Sequence, residues 1–157
     1  MNKTGFQIVI SGFLLLLIIA CDRNRVFEEY QPIPSSGWHK DAIINFNIPI
    51  RDTLKNHNLY INVRNDIKYS YSNLWLFIEI EQPGDISVTD TFALSLADPS
   101  GKWLGAGFGG VKTRQVMFKR NVFFPVSGEY SFNIQHGMRE EELTGITDIG
   151  LRVEKLD

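Results

Sequence analysis

Short segments in which apolar and polar residues alternate recur along most of the chain, and this alternation limits the fold more than any other feature of the sequence. Successive side chains of a β-strand point to opposite faces, so a period of two indicates a strand with one face in a core. In DAIINFNIPI the apolar residues 42, 44, 46 and 48 share one face, and in NLYINVRND residues 59, 61 and 63 do so. Further strand-like segments are SNLWLFIEI, TFALSL, QVMFK, EYSFNI and DIGLRVEKL.

Turn-forming residues separate these segments. PGD at 83–85, DPSG at 98–101 and PVSG at 125–128 each contain residues that preset or permit the backbone angles of a turn. Only MREEELTGI has any helical character, and it is short. About eight short strands with turns at near-regular spacing predict an all-β fold, a single antiparallel β-sandwich of which a jelly roll is one form.

The N-terminal segment has the layout of an export signal. A polar start with Lys3 precedes an almost entirely apolar run, which ends at Cys21, the only cysteine. The run is shorter than the roughly 20 residues of a membrane-spanning helix, so residues 1–20 are predicted to be a signal peptide.

The end of that run, Ile18 to Cys21, resembles a bacterial lipobox, although Ile18 stands where leucine is commoner. In a lipobox the cysteine becomes the N-terminus and carries acyl chains, so we expect Cys21 to be lipidated and to anchor the protein to a membrane. The alternative is an ordinary secretory leader with a chance cysteine, which would leave a free thiol.

Residues 21–37 mix charged residues with prolines and a serine pair, without either structural period. Such a composition is typical of a linker, so the sequence predicts a lipidated N-terminus and flexible tether over 21–37. Residues 38–157 then form the predicted β-sandwich domain. The chain has 16 Lys and Arg against 18 Asp and Glu. No basic stripe runs along it, which argues against a nucleic-acid partner.

Residues for catalysis or metal binding are not arranged in any recognisable pattern. His39, His57 and His136 are scattered and lack metal-ligand spacing, so they are interpreted as surface or loop residues. The glycines of GAGFGG, at 105–110, lack the lysine of a phosphate-binding loop and are better explained by a bend or a close backbone approach. No catalytic residue and no cofactor is predicted.

Acidic residues offer two weak alternatives. Asp85, Asp90 and Asp98 lie near turns but lack the spacing of a calcium loop. Glu79 and Glu81 share a strand face, yet nothing marks them as a catalytic pair. The sequence therefore predicts neither a metal site nor an enzyme.

Aromatic residues are more informative. Trp75 and Phe77 alternate with Leu74, Leu76 and Ile78, so both faces of one strand are apolar although a two-layer sandwich has a single interior. The second face is either covered or exposed for a partner. The candidate contact residues for a protein or a glycan are Tyr71, Trp75, Phe77 and Trp103.

Several blocks together carry a resemblance to a known family: YSNLWLF at 71–77, KWLG at 102–105 and GMR at 137–139, behind the lipoprotein-like leader. In these the chain resembles the GldH family of gliding motility lipoproteins. The resemblance implies a small envelope lipoprotein without known catalysis or cofactor, whose partners are other envelope proteins of gliding and type IX secretion. The residues after Cys21 form no acidic cluster, which favours a periplasm-facing position. A glycan-binding module is the alternative.

Overall fold

The computed structural model describes residues 22–84 and 86–156, and every regular element in them is a β-strand. Cys21 and the predicted signal peptide lie outside the described residues. The strands are β1 Arg25–Pro32, β2 Trp38–His39, β3 Ile44–Ile50, β4 His57–Asp66, β5 Asn73–Gln82, β6 Ile86–Ser95, β7 Val111–Val122, β8 Gly128–His136, β9 Glu142–Leu143 and β10 Ile146–Lys155. No helix in this part of the chain is long and apolar enough to span a membrane.

Two antiparallel four-stranded sheets form the sandwich. We call β1-β10-β4-β7 sheet I and β3-β8-β5-β6 sheet II. Among the eight long strands in chain order, the first pairs with the last, the second with the seventh, the third with the sixth and the fourth with the fifth. This nested pairing is that of a jelly roll. The predicted β-sandwich is confirmed, in its jelly-roll form.

The core is built from the alternation seen in the sequence. Alternate side chains of the long strands turn inward. The central strands supply residues with no exposed area, namely Leu59, Ile61, Val63, Leu74, Leu76, Ile78, Phe132, Ile134, Ile149, Leu151 and Val153. Burying a side chain of this size contributes about 1.5–3 kcal/mol. Inward packing on both sheets therefore holds the layers together without any disulfide.

The predicted flexible tether over 21–37 is wrong for most of its length. Strand β1 pairs with β10 from Arg25 to Pro32 and forms an edge of sheet I. Phe27 packs edge to face on Phe46 of the opposite sheet, with ring centroids 6.4 Å apart. The sequence signal was weak because an edge strand with one buried aromatic alternates poorly. The MREEELTGI segment also forms no helix, since β9 lies within it and pairs with β2.

The sandwich has two distinct ends. At the N-terminal end lie Asp22, the β3–β4 loop at 51–56 and the β7–β8 loop at 123–127. Hydrogen bonds tie the β3–β4 loop to neighbouring segments, since Leu156 N–H donates to Asn56 O at 2.8 Å and Asn56 Nδ2 donates to Asn121 Oδ1, near the end of β7, at 2.8 Å. At the far end lie the loops at 67–72, 96–110 and 137–141.

Candidate functional site

Strand β5 places Trp75 and Phe77 on the outer face of sheet II, the face turned away from the core. Leu74 and Leu76 are fully buried, whereas Trp75 and Phe77 are each 44% exposed. Their neighbours on β6 are small, because Trp75 faces Ala93 and Phe77 faces Thr91. We call Trp75 and Phe77 the outer aromatic patch.

A glycine after β8 makes room for this patch. Gly137 N–H donates to Trp75 O at 2.7 Å. A β-carbon on Gly137 would lie 3.0 Å from Phe77 Cε2, which is closer than ordinary packing allows. The glycine thus lets the Phe77 ring lie against the backbone beside Trp75.

A cleft of about 620 Å³ opens beside the patch at the far end, lined by Tyr71, Asn73, Trp75, Gly137, Met138, Arg139 and Glu140. Tyr71 Oη donates a hydrogen bond to Glu140 Oε1. The backbone N–H of Trp75 is directed at Met138 Sδ, 3.4 Å away. Arg139 is exposed and makes no ion pair with any described residue. The lining of the cleft therefore contains the aromatic side chains of Tyr71 and Trp75 and the exposed side chain of Arg139.

On the other side of Phe77 the outer face is polar. Asn133 accepts a hydrogen bond from Asn45 Nδ2 at 2.7 Å and donates from its own Nδ2 to Glu81 at 2.8 Å and Glu79 at 3.3 Å. Ser131 Oγ lies 2.6 Å from Asn47 Oδ1 in the next rung. We call this row the amide ladder. Glu79 and Glu81 share one amide donor within it.

The structure brings three of the four predicted contact residues together. Tyr71 and Trp75 line the cleft, and Phe77 lies two residues further along β5. Trp103 is different, because it is half-buried in the 96–110 loop, packs on the core and pairs with Ala97. Sequence reasoning missed Met138 and Glu140, which only the fold brings beside β5.

The acidic residues have structural partners. Asp98 caps its turn by accepting bonds from Ser100 N–H at 2.8 Å and Lys102 N–H at 3.0 Å. The Ser100 hydroxyl, followed by these amides, holds the pKa of Asp98 below its usual range. Asp90 forms an ion pair with Lys119. Asp85 lies outside the described residues, and within the described part of the chain no cluster suits a metal ion.

Two histidines are buried, which corrects the prediction that all three lie on the surface or in loops. His136, on β8, has Nε2 2.9 Å from Trp38 O, and its ring meets Trp38 edge to face. His57, on β4, packs on Phe124. Burial lowers the pKa of both imidazoles. Alternation alone did not reveal them, because histidine occurs on either kind of face.

Two of the four GAGFGG glycines, Gly105 and Gly107, serve close backbone approach, one of the two roles that the sequence indicated, whereas Gly109 and Gly110 have no close neighbour among the described residues. A β-carbon on Gly105 would lie 2.9 Å from Thr113 O, and one on Gly107 would lie 2.5 Å from Val111 O. Ala106 and Thr113 exchange backbone hydrogen bonds. The glycines thus fold the loop onto the start of β7.

The outer face of sheet I is a charged network. Arg152 donates to Glu28 Oε2 at 2.8 Å, to Glu154 Oε1 at 2.6 Å and to Asp22. Burial would lower the pKa of Arg152, but its hydrogen bonds to Asp22 and Glu154 outweigh burial and raise the pKa. Arg64 lies 4.1 Å from the centroid of the Tyr30 ring and near Asp148. We call this set the sheet I charge network.

Comparison with known proteins supplies close relatives. A model of the GldH lipoprotein family matches residues 25–153. A Christiangramia forsetii protein named gliding motility lipoprotein GldH homolog is 41% identical, over 99% of each chain. A Flavobacterium johnsoniae protein named gliding motility lipoprotein GldH is 38% identical, over 94% of this chain and 97% of the relative.

Among solved structures, a family GH115 4-O-methyl-α-glucuronidase with specificity for decorated arabinogalactans matches with a TM-score of 0.42 and 9% identity. The match covers 87% of this chain and 18% of that enzyme. A likeness at this level carries no functional argument.

Proposed function

The chain belongs to the GldH lipoprotein family, and we propose on that premise that it is a non-catalytic, lipid-anchored accessory of the gliding machinery that acts by binding other envelope proteins. Relatives that match almost end to end carry gliding motility lipoprotein names. The anchor is the acylated Cys21, after removal of residues 1–20, and the sandwich faces the periplasm. The partners are envelope proteins of gliding and type IX secretion.

The contact surface in this proposal is the outer aromatic patch with the adjoining cleft. The single observation that carries it is the exposure of Trp75 and Phe77 side by side on a rigid sheet. Exposed aromatic side chains in a depression are the usual anchors of protein interfaces, because each buries a large area with few rotatable bonds. An anchored protein meets membrane-bound partners at high effective concentration, so a weak contact at this surface is enough to hold a partner.

Photo-crosslinking in intact cells tests this surface. A photoreactive amino acid at position 75 should give a discrete adduct with an envelope protein. The matched control is position 115, because Gln115 is exposed on the outer face of sheet I. Equal adducts from both positions, or none from position 75, would contradict the proposal.

The amide ladder favours a second candidate, a glycan-binding module. Amide and carboxylate groups beside an exposed tryptophan are the groups that hydrogen-bond and stack on sugar rings, and Asn133, Glu79 and Glu81 lie next to Phe77. Glycan-array binding that Trp75→Ala abolishes, with the unfolding transition unchanged, would establish this candidate in place of the protein contact.

The anchor has its own test. Mass spectrometry of the membrane-extracted protein should give an N-terminal peptide that begins at Cys21 and carries acyl chains. Cys21→Ala should release the protein from washed membranes. An unmodified thiol at position 21 would contradict the anchor, whatever the contact surface does.

A further inference from the structure

The N-terminal end of the sandwich carries apolar side chains that are exposed to solvent. Leu54, at the tip of the β3–β4 loop, is 92% exposed, and Phe123 and Val126 in the neighbouring β7–β8 loop are 56% and 47% exposed. Three large apolar side chains at one end of a small domain form a surface suited to an apolar partner.

The two loops are held in place. Leu54 N–H donates to Asp52 Oδ1 at 2.9 Å, so a local turn fixes the Leu54 backbone. Asn56 joins this loop to Asn121, just before Phe123, by a 2.8 Å hydrogen bond. Asn121 N–H is in turn fixed by Asn58 Oδ1 at 3.0 Å. Hydrogen bonds therefore fix the loop segments from which Leu54 and Phe123 project.

Basic residues accompany the apolar tips. Arg51 and Lys55 flank Leu54, are exposed, and form no ion pair with any described residue. Of the acidic groups at this end, Asp52 caps the loop and Asp22 binds Arg152, while Glu129 on β8 is exposed. An apolar tip between available cations fits the boundary of a bilayer, where acyl chains meet phosphate groups.

Asp22, the first described residue, lies near this end, in a turn in which its carbonyl oxygen accepts a hydrogen bond from Arg25 N–H. Asp22 is held by Arg152, and Asn24 O accepts from Lys155 N–H at 2.8 Å. Cys21 precedes Asp22 in the sequence, so a lipid on Cys21 is joined to Asp22 through a single peptide unit, which spans about 3.8 Å between Cα atoms. A lipid on Cys21 thus brings a membrane to the same end as Leu54 and Phe123.

We propose that this end of the sandwich rests directly on the lipid bilayer, with Leu54 and Phe123 at the acyl boundary and Arg51 and Lys55 at the phosphates. The inference rests on the proposed acylation of Cys21 and adds an orientation to it. Strand β5 has ten residues and runs from one end to the other, so the far end with its cleft stands roughly 30 Å above the contact. The outer aromatic patch is then presented to partners beyond the membrane surface.

Spin labels on the native lipoprotein test this orientation. The protein, purified with its lipid and reconstituted in phosphatidylethanolamine–phosphatidylglycerol vesicles, carries a label at Leu54→Cys or Phe123→Cys, where an acylated Cys21 leaves the new thiol as the sole reactive one. The matched control is Phe108→Cys, because Phe108 is fully exposed in the far-end 96–110 loop. For each label, the measured quantity is the ratio of relaxation by oxygen to relaxation by a water-soluble nickel chelate. We expect this ratio to be several-fold higher at positions 54 and 123 than at position 108.

The outcomes separate this inference from the proposed anchor. If the protein floats with the vesicles but the label at position 54 is as accessible to nickel as the label at 108, the membrane contact is wrong and the anchor is retained. A chain that does not float with the vesicles overturns the anchor, and the contact with it. Membrane-phase relaxation at 54 and 123 alone supports the contact.

Discussion

The outer faces of the two sheets differ in how their side chains are satisfied. On sheet I, Arg152 and its carboxylate partners bind one another, and Arg64 stacks on Tyr30. On sheet II, Trp75 and Phe77 have no comparable cover and lie beside a cleft. Side chains that bind one another stabilise the folded protein. Exposed aromatic side chains contribute little to the free energy of folding, and their surface remains available to a partner. We therefore expect mutations in the sheet I charge network to affect folding and mutations in the outer aromatic patch of sheet II to affect binding.

The largest effect is expected from Arg152→Met. The substitution keeps an apolar stem but leaves Glu28, Glu154 and Asp22 facing one another without their shared cation. Removing one partner from a partly buried network should cost about 2 kcal/mol in the free energy of unfolding, measured by urea denaturation. The matched control is Arg64→Met, whose more exposed ion pair with Asp148 should cost less than about 1 kcal/mol. Equal losses in the free energy of unfolding for the two substitutions would contradict a larger contribution of Arg152 to stability.

As pH falls, the buried histidines should lower the free energy of unfolding before the sheet I charge network does. The pKa of His136 and His57 is lowered in the folded protein by burial, so the unfolded chain takes up protons first as pH falls below 6.5. The free energy of unfolding should therefore fall between pH 7 and pH 5, and His136→Gln should flatten this slope. Asp22, whose pKa is lowered by its hydrogen bond to Arg152, loses its contribution only as pH falls through 3.8 and below. A flat profile from pH 7 to 5 in the unmodified protein would contradict the burial of neutral histidines.

A smaller effect is expected from Gly137→Ala. Its β-carbon would meet the Phe77 ring at 3.0 Å, so the ring must rotate out of its position beside Trp75. A strain of this kind at a half-exposed ring should cost about 1 kcal/mol or less. The position 75 crosslink should weaken all the same, because the patch changes shape. An unchanged adduct would separate Phe77 from the contact.

A comparably small effect on stability is expected from Trp75→Ala. The side chain is already 44% exposed and packs on small neighbours, so its removal should change the free energy of unfolding by about 1 kcal/mol or less. Urea denaturation measures this change, and Leu76→Ala on the buried face of the same strand, at about 2–5 kcal/mol, is the control. A loss for Trp75→Ala as large as for Leu76→Ala would mean that the tryptophan is part of the core.

Sequence reasoning reached the sandwich and placed Trp75 and Phe77 on the face opposite Leu74 and Leu76, because alternation fixes which side chains share a face. It left open whether that face is covered or exposed. It misjudged β1, since Arg25–Pro32 becomes a strand only through pairing with β10 at the other end of the chain. It also missed the cleft, because Met138 and Glu140 reach Tyr71 through the β5–β8 register. Pairings between distant segments leave no local pattern, so these features had no signal in the sequence.

Hydroxyl-radical footprinting tests the difference between the two faces most directly. The isolated protein and intact cell envelopes are oxidised in parallel, and the rates at Trp75 and Phe77 are compared with the rate at Met117, on the outer face of sheet I. We expect Trp75 and Phe77 to be oxidised in the isolated protein and protected in the envelope, while Met117 reacts alike in both. Equal oxidation of Trp75 and Phe77 in the two preparations would contradict this expectation.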